Sequence, residues 1–124
     1  MRLNSTGSLL QVGNFIYSYR TPIYKEFIVN GEVFKVFNDT YYSHTTRKYQ
    51  SKIGHLKNYA DLIVHYCPYG EWDLDTALKN EISMTKYELE KLNNKPRKLG
   101  KRQAKELQKL TKRLEDLQKL YAEV

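Results

Sequence analysis

Six basic residues near the C-terminus have the types and the spacing to contact phosphate groups. In a helix, at about 100° per residue, they fall on one arc of roughly 120° and extend about 18 Å. Lys and Arg in a row on a rigid helix can follow a nucleic-acid backbone without reading its bases. A solvated helix face is the alternative interpretation. The six residues of this basic stripe are Lys101, Arg102, Lys105, Lys109, Lys112 and Arg113.

The placement of charge favours the same region. Residues 95–124 hold ten Lys or Arg against four Asp or Glu, so they carry +6 of the net charge of +7. Such an asymmetry indicates an anionic partner, RNA or DNA. Arg47 and Lys48 are further candidate contacts. Eleven tyrosines could provide stacking surfaces for single strands, but most have the spacing of core positions.

A second cluster has the residue types for phosphodiester cleavage. His44 lies beside Tyr41, Tyr42, Arg47 and Lys48, which could supply a general base and cationic stabilisers. A small ribonuclease is therefore one alternative. No carboxylate pair, Ser/His/Asp set or glycine-rich phosphate loop accompanies these residues. We expect that the protein is not an enzyme.

Metal ligands and targeting segments are not evident. His55 and His65 lie ten residues apart, unlike the i, i+4 pair of a zinc helix. Cys67 is the single cysteine and lies outside any CxxC or Cys/His spacing. The N-terminus lacks the apolar run of a signal peptide, and no window resembles a membrane span. We expect a soluble, cytoplasmic protein without metal or cofactor.

The first third of the chain has the pattern of a β-sheet. Four aromatic and β-branched runs are separated by turn residues, which predicts short strands. Asn30-Gly31 suits a type I′ turn, because both central residues of that turn need positive φ. Thr40–Ser43 is a candidate fifth strand. The four runs are Ser8–Val12, Asn14–Tyr19, Ile23–Val29 and Glu32–Phe37.

A helix that covers the sheet is predicted next. Apolar residues recur at helical spacing from Tyr49 to Ile63, and Thr45 or Thr46 would cap the helix. Gly54 weakens it by roughly 1 kcal/mol relative to Ala. The segment Asp61–Cys67 fits either a helix or a strand.

Two more helices are predicted towards the C-terminus. Asp73 or Asp75 starts the first, whose apolar side is formed by Leu74, Leu78, Ile82, Leu89 and Leu92. A capping-box match at Thr85 and Glu88 would instead break it near Ser83 and make a helix-turn-helix. The sequence Asn93-Asn94-Lys95-Pro96 ends this helix, and Gly100 precedes the last one.

The last helix has a coiled-coil-like apolar seam. A seam this short must pack on the preceding helix as a hairpin, or on a second copy of the chain as a homodimer. The sequence thus predicts an α+β fold: an N-terminal antiparallel β-sheet with a covering helix (1–70) and a C-terminal helical hairpin (71–124), in one compact domain. The seam consists of Leu107, Leu110, Leu114, Leu117, Tyr121 and Val124.

Two segments carry a resemblance. SYRTPIY (Ser18–Tyr24) and NDTYYSHTTRKYQ (Asn38–Gln50) resemble short phage and prophage proteins in which a strand reading SYGTPVA precedes YSxTTxKH. Arg20 replaces the glycine and Tyr49 replaces the histidine. The resemblance implies a phage or mobile-element origin, and small proteins of that origin often inhibit host factors. The agreeing residues are Ser18, Tyr19, Thr21, Pro22, Tyr42, Ser43, Thr45, Thr46 and Lys48.

The expected function is that of a phage-encoded, non-enzymatic, anti-CRISPR-like inhibitor of a host defence nucleoprotein complex. A channel that holds nucleic acid is usually positive and would repel the basic helix. The helix should therefore touch RNA or DNA in a loaded complex, or an acidic patch on a host protein. Direct binding of DNA or RNA is the alternative.

Overall fold

A β-hairpin with a tight turn lies at the centre of the sheet. In the computed structural model, which describes residues 9–94 and 100–124, strand β3 (Thr21–Val29) pairs antiparallel with β4 (Glu32–Asn38). Asn30 and Gly31 have φ of 52° and 81°. Both central residues of the turn are therefore left-handed, which confirms the predicted type I′ geometry.

The sheet has five strands in the order β1-β2-β3-β4-β5, and the α+β class is confirmed. Strands β1 to β4 form an antiparallel meander in which each strand pairs with the next. The chain divides into two units, Met1–Ala77 and Leu78–Val124. The remaining elements are β1 (Leu9–Val12), β2 (Phe15–Ser18), α1 (His44–Lys52), a 3₁₀ helix (Gly54–Tyr59), β5 (Leu62–Val64), α2 (Leu74–Asn93) and α3 (Lys101–Glu123).

The fifth strand differs from the prediction in position and direction. β5 pairs parallel with β4, with Val36 opposite Leu62, so the predicted antiparallel sheet is confirmed for β1 to β4 and carries one parallel strand at its edge. Thr40–Ser43 is not a strand, and side chains instead of a neighbouring strand pair with the backbone of Thr40. The Thr40 N–H donates to Asn38 Oδ1 at 3.1 Å, and the Thr40 carbonyl accepts from Gln50 Nε2 at 2.8 Å.

The covering helix is shorter than predicted and begins earlier. Ser43, not Thr45 or Thr46, is the N-cap, and its hydroxyl accepts from the Thr46 N–H at 3.1 Å. The α-helix ends at Lys52, a 3₁₀ helix begins at Gly54, and Asp61–Cys67 contains a strand. The predicted apolar stripe nevertheless faces the sheet. Its residue Ile53 belongs to the buried core together with Leu9, Ile16, Ile23, Tyr24 and Phe37, and Tyr49, Leu56, Ala60 and Ile63 pack against that core.

A buried lysine fastens the segment that leads to α2. Lys25 Nζ donates to the Trp72 carbonyl at 2.6 Å and to Glu71 Oε2 at 3.1 Å. The same ammonium group lies 5.3–5.5 Å from the ring centroids of Phe15, Phe27 and Trp72. Hydrogen bonds from Tyr17 and then from Lys25 lower the pKa of Glu71. A buried charge is tolerated here because it is paired and hydrogen-bonded.

Helix α2 is one continuous helix. Asp73 begins it, as one of the two predicted starts: its carboxylate accepts the Thr76 N–H at 2.7 Å, and this bond lowers the pKa of Asp73. The alternative, a break near Ser83 that would make a helix-turn-helix, does not occur. Thr85 is not a cap, since its hydroxyl donates to the Glu81 carbonyl one turn earlier, at 2.6 Å. The predicted stop holds at Asn93, whereas Lys95 and Pro96 lie outside the described residues.

The second unit contains α2 from Leu78 onwards and the whole of α3. Gly100 is the N-cap of α3, as predicted. Arg113 Nη2 lies 3.1 Å from Glu81 Oε2, and the two residues lie at matching distances along the chain from the connection between the helices. They are therefore paired as in an antiparallel hairpin. Leu117 is buried, and the other seam leucines are partly buried.

Candidate nucleic-acid interface

Five of the six basic-stripe residues are exposed on α3: Lys101, Arg102, Lys105, Lys109 and Lys112. Lys112 lies 3.7 Å from Asp116, one turn further along. An open recess of about 440 Å³ is lined by Lys101, Arg102, Lys105, Glu106 and Lys109. Four cations and one carboxylate thus border one concave surface, which suits an anionic ligand.

Arg113 differs from the other members of the stripe. Its guanidinium pairs with Glu81, whose side chain is fully buried, and its own side chain is 35% exposed. A buried carboxylate is costly unless a cation pairs with it, so loss of the Arg113 guanidinium would destabilise the fold. The structure therefore places Arg113 in the packing of the hairpin.

The two other candidate residues, Arg47 and Lys48, lie on α1 in the first unit. Lys48 is exposed. Arg47 makes two contacts with Asp39: Nη1 lies 2.6 Å from the carboxylate Oδ1, and Nη2 donates to the Asp39 carbonyl at 3.1 Å. Lys57 Nζ lies 3.3 Å from Asp39 Oδ2, and His65 Nδ1 lies 4.0 Å from the same oxygen. We call Asp39, Arg47, Lys57 and His65 the Asp39 cluster.

The topology of the sheet brings the Asp39 cluster together. Asp39 directly follows β4 and His65 directly follows β5, and these neighbouring strands are parallel. Their carboxyl ends therefore meet at one edge, and the Asp39 N–H donates to the Val64 carbonyl there at 2.8 Å. Carboxyl ends of parallel strands are a common place for ligand sites. Arg47 and Lys57 reach the edge from the connection between the two strands.

An exposed aromatic ring lies beside this cluster. Tyr41 is 64% exposed, and Arg47 Cζ lies 5.5 Å from its ring centroid. A guanidinium over an aromatic face is a favourable cation–π arrangement. Tyr41 is thus a surface ring next to the ordered cation Arg47.

Two of the residues considered for phosphodiester cleavage, His44 and Tyr42, lie in different surroundings. His44 is exposed at the first turn of α1. The Tyr42 hydroxyl lies 2.9 Å from Asn38 Nδ2 and donates towards the carbonyls of Cys67 and Pro68, at 3.1 and 3.0 Å. Burial raises the pKa of Tyr42 to about 12. A phenol held in this way supports the fold and is a poor acid or base at neutral pH.

The residues that carry the phage-protein resemblance are mainly structural. The hydroxyls of Ser18 and Thr46 share a buried hydrogen bond of 2.8 Å, and Thr21 Oγ1 accepts the Gly70 N–H at 2.9 Å. The Pro22 carbonyl accepts from Asn38 Nδ2 and from Trp72 Nε1, both at 2.9 Å. These contacts join β2 and β3 to α1 and to the segment before α2.

Sequence reasoning missed three members of the Asp39 cluster. Asp39, Lys57 and His65 are not among the contact residues that the sequence predicts, and the spacing of His65 from His55 excluded only a zinc helix. The available signal was the apolar run Leu62–Val64, within the segment Asp61–Cys67 that fits either a helix or a strand. As a strand reached through a helical crossover it would pair in parallel with β4 and bring residues 39 and 65 to one edge.

No protein-family model, curated protein or solved structure matches this chain. Within residues 9–94 and 100–124, no group of three or more His, Cys, Asp or Glu side chains is placed to hold a metal ion. Over the same residues, no helix has the length and apolarity needed to cross a bilayer.

Proposed function

We propose that the protein is a non-enzymatic ligand of a nucleoprotein complex that contacts nucleic-acid phosphates through α3. The observation that carries the proposal is the exposed face of Lys101, Arg102, Lys105, Lys109 and Lys112. Four of these cations line one recess. Successive cations on a rigid helix neutralise successive phosphates and release their counterions.

Inhibition of a host defence complex is the biological role that we attach to this surface. It is supported by the resemblance of the Ser18–Tyr24 and Asn38–Gln50 segments to phage proteins, and by the net charge of +6 in residues 95–124. Because positive channels repel a positive helix, we expect binding to the loaded complex through exposed RNA or DNA. Leu117 of the α3 seam is already buried within the chain, so homodimer contacts would use the partly buried seam residues Leu107, Leu110, Leu114 and Tyr121.

Salt-dependent binding of duplex DNA tests the contact. If the five exposed cations each meet a phosphate, log K should fall with log salt at a slope of roughly −4.5. Replacing Lys101, Lys105 and Lys109 by Gln should bring the slope to roughly −2. A control with the same net charge replaces Lys52, Lys86 and Lys119 by Gln; these lysines are exposed but lie outside the stripe. Equal slopes for the two triple variants would reject the basic stripe as the contact surface.

Recovery of partners from host lysate tests the role. The tagged protein should retain a ribonucleoprotein or a DNA-bound defence complex, and the stripe variant should retain less of it than the control variant. Nuclease treatment should release the complex if nucleic acid is the bridge. Retention of no nucleoprotein in either sample would defeat the inhibitor proposal, whereas the duplex measurement would stand on its own.

A further inference from the structure

The Asp39 cluster carries more positive than negative charge. One carboxylate, whose side chain is 17% exposed, faces two permanent cations, and His65 would add a third positive charge when protonated. The side chains of Arg47 and Lys57 are 35% and 39% exposed. Both therefore reach solvent while they also contact Asp39. The cluster can attract a second anion from outside.

The cations of the cluster are already ordered. Arg47 is held by two hydrogen bonds to Asp39, which leaves further N–H donors of its guanidinium directed away from that residue. The Lys57 ammonium is held by Asp39 and lies 5.3 Å from the ring centroid of Phe37. An incoming phosphate would meet side chains that lose little rotamer freedom on binding.

The neighbouring ring defines which phosphate-bearing ligand fits. The Tyr41 ring lies beside the Arg47 guanidinium of the cluster, and Tyr41 is 64% exposed. An aromatic face beside backbone-contacting cations is the arrangement by which proteins hold unpaired strands, since a free base can stack on the ring. Bases in a duplex are stacked on each other and cannot reach it.

We propose that Tyr41 and the Asp39 cluster bind one nucleotide of an unpaired nucleic-acid strand. Arg47 and Lys57 contact its phosphate, and its base stacks on Tyr41. The inference rests on the proposed function for the class of ligand, nucleic acid, but none of its residues belongs to α3. A failure at one site can therefore be distinguished from a failure at the other.

Fluorescently labelled oligothymidine, oligouridine and a DNA duplex of equal length are the probes. Tyr41→Ala should weaken binding of both unpaired strands roughly 5- to 100-fold, the effect of losing one base–aromatic stack. Tyr41→Phe keeps the ring and should bind as the parent does. Lys57→Gln leaves Arg47 to neutralise Asp39 and should reduce the salt slope on unpaired strands by roughly 0.7. Lys52→Gln, at an exposed position of α1, should not alter this slope.

Comparison of binding to unpaired strands with binding to the duplex distinguishes the Tyr41 site from the basic stripe on α3. Support for the inference is a loss by Tyr41→Ala on unpaired strands with duplex binding unchanged. Equal losses on strand and duplex, or no loss on strands, would overturn it. A stripe variant that binds duplex as well as the parent would overturn only the α3 proposal. A parent protein that binds none of the three probes would overturn both.

Discussion

Arg113 of α3 donates a hydrogen bond to the fully buried carboxylate of Glu81 in α2, across 3.1 Å. Arg113→Met should destabilise the hairpin, because it leaves Glu81 as a buried charge without this partner. Since Arg113 is 35% exposed, we expect a loss of roughly 2–3 kcal/mol, below the value for a wholly buried pair. Urea unfolding of the full chain measures it.

The matched control for this pair is Lys109→Met, which makes the same exchange at an exposed position of α3. It should alter the free energy of unfolding by less than about 0.5 kcal/mol. The double variant Glu81→Leu/Arg113→Met removes both charges and should recover most of the lost stability. Equal effects of Arg113→Met and Lys109→Met would contradict the assignment of Arg113 to packing.

The hydroxyl pair of Ser18 and Thr46 offers a second test of stability. Their oxygens lie 2.8 Å apart and are buried. Removal of either hydroxyl therefore leaves the other one buried without this hydrogen bond. Ser18→Ala or Thr46→Val should each cost about 1–3 kcal/mol. The double variant should cost less than the sum of the two, because no unpaired hydroxyl remains. Ser51→Ala, at an exposed site, is the control, and strict additivity would sink the idea of a coupled pair.

Two glycines should respond to alanine in opposite directions. Gly31 has φ of 81° in the β3–β4 turn, where a Cβ is strained, so Gly31→Ala should cost about 1–2 kcal/mol. Gly54 has no positive φ, and a Cβ there would meet open space. Gly54→Ala should therefore stabilise the protein by about 0.4–1 kcal/mol through the unfolded chain. Thermal unfolding of both variants checks the pair, and a Gly31→Ala protein as stable as the parent would refute the turn geometry.

Alkaline pH should weaken the fold through buried phenols. Burial raises the pKa of Tyr42 to about 12, above the value of about 10 for tyrosine in an unfolded chain. The unfolded state therefore releases its proton first, and stability falls as pH rises from about 10 towards 12. Burial is also the main cause that raises the pKa of Tyr17 to about 12, so Tyr17 lowers stability over the same pH range.

The measurement is the free energy of unfolding in urea over this alkaline range. Tyr42→Phe loses the hydrogen bonds of the hydroxyl and should be less stable at neutral pH. It should, however, show a smaller decline with rising pH, because one titrating group has been removed. A decline as steep as that of the parent would show that Tyr42 does not titrate with a raised pKa.

Local chemistry explains which elements could be predicted. Asn30-Gly31 specifies its turn through two positive φ values, and Asp73 specifies the start of α2 through a carboxylate that reaches a free N–H. Both signals act within a few residues. The run from Tyr49 to Ile63 also identified the buried side, since packing on the sheet depends on apolar surface even where the backbone is not α-helical.

The errors arose where distant residues decide the outcome. The strand at Leu62–Val64 depends on pairing with Val36–Asn38, which no window around residue 62 contains. The same long-range pairing brings Asp39 and His65 to one edge, so the Asp39 cluster could be predicted only after Leu62–Val64 was identified as a strand. Arg113 lies on the predicted arc, but its role depends on Glu81, 32 residues away.

The parallel pairing of β5 with β4 has a consequence for the order in which the sheet assembles. Strands β1 to β4 close through short turns, whereas β5 must wait for a loop that joins Lys35 to Asp61, 26 residues apart. Closing the longer loop costs more chain entropy before its contacts form. We infer that β5 joins last, so mutations in Leu62–Val64 should speed unfolding and leave the folding rate nearly unchanged.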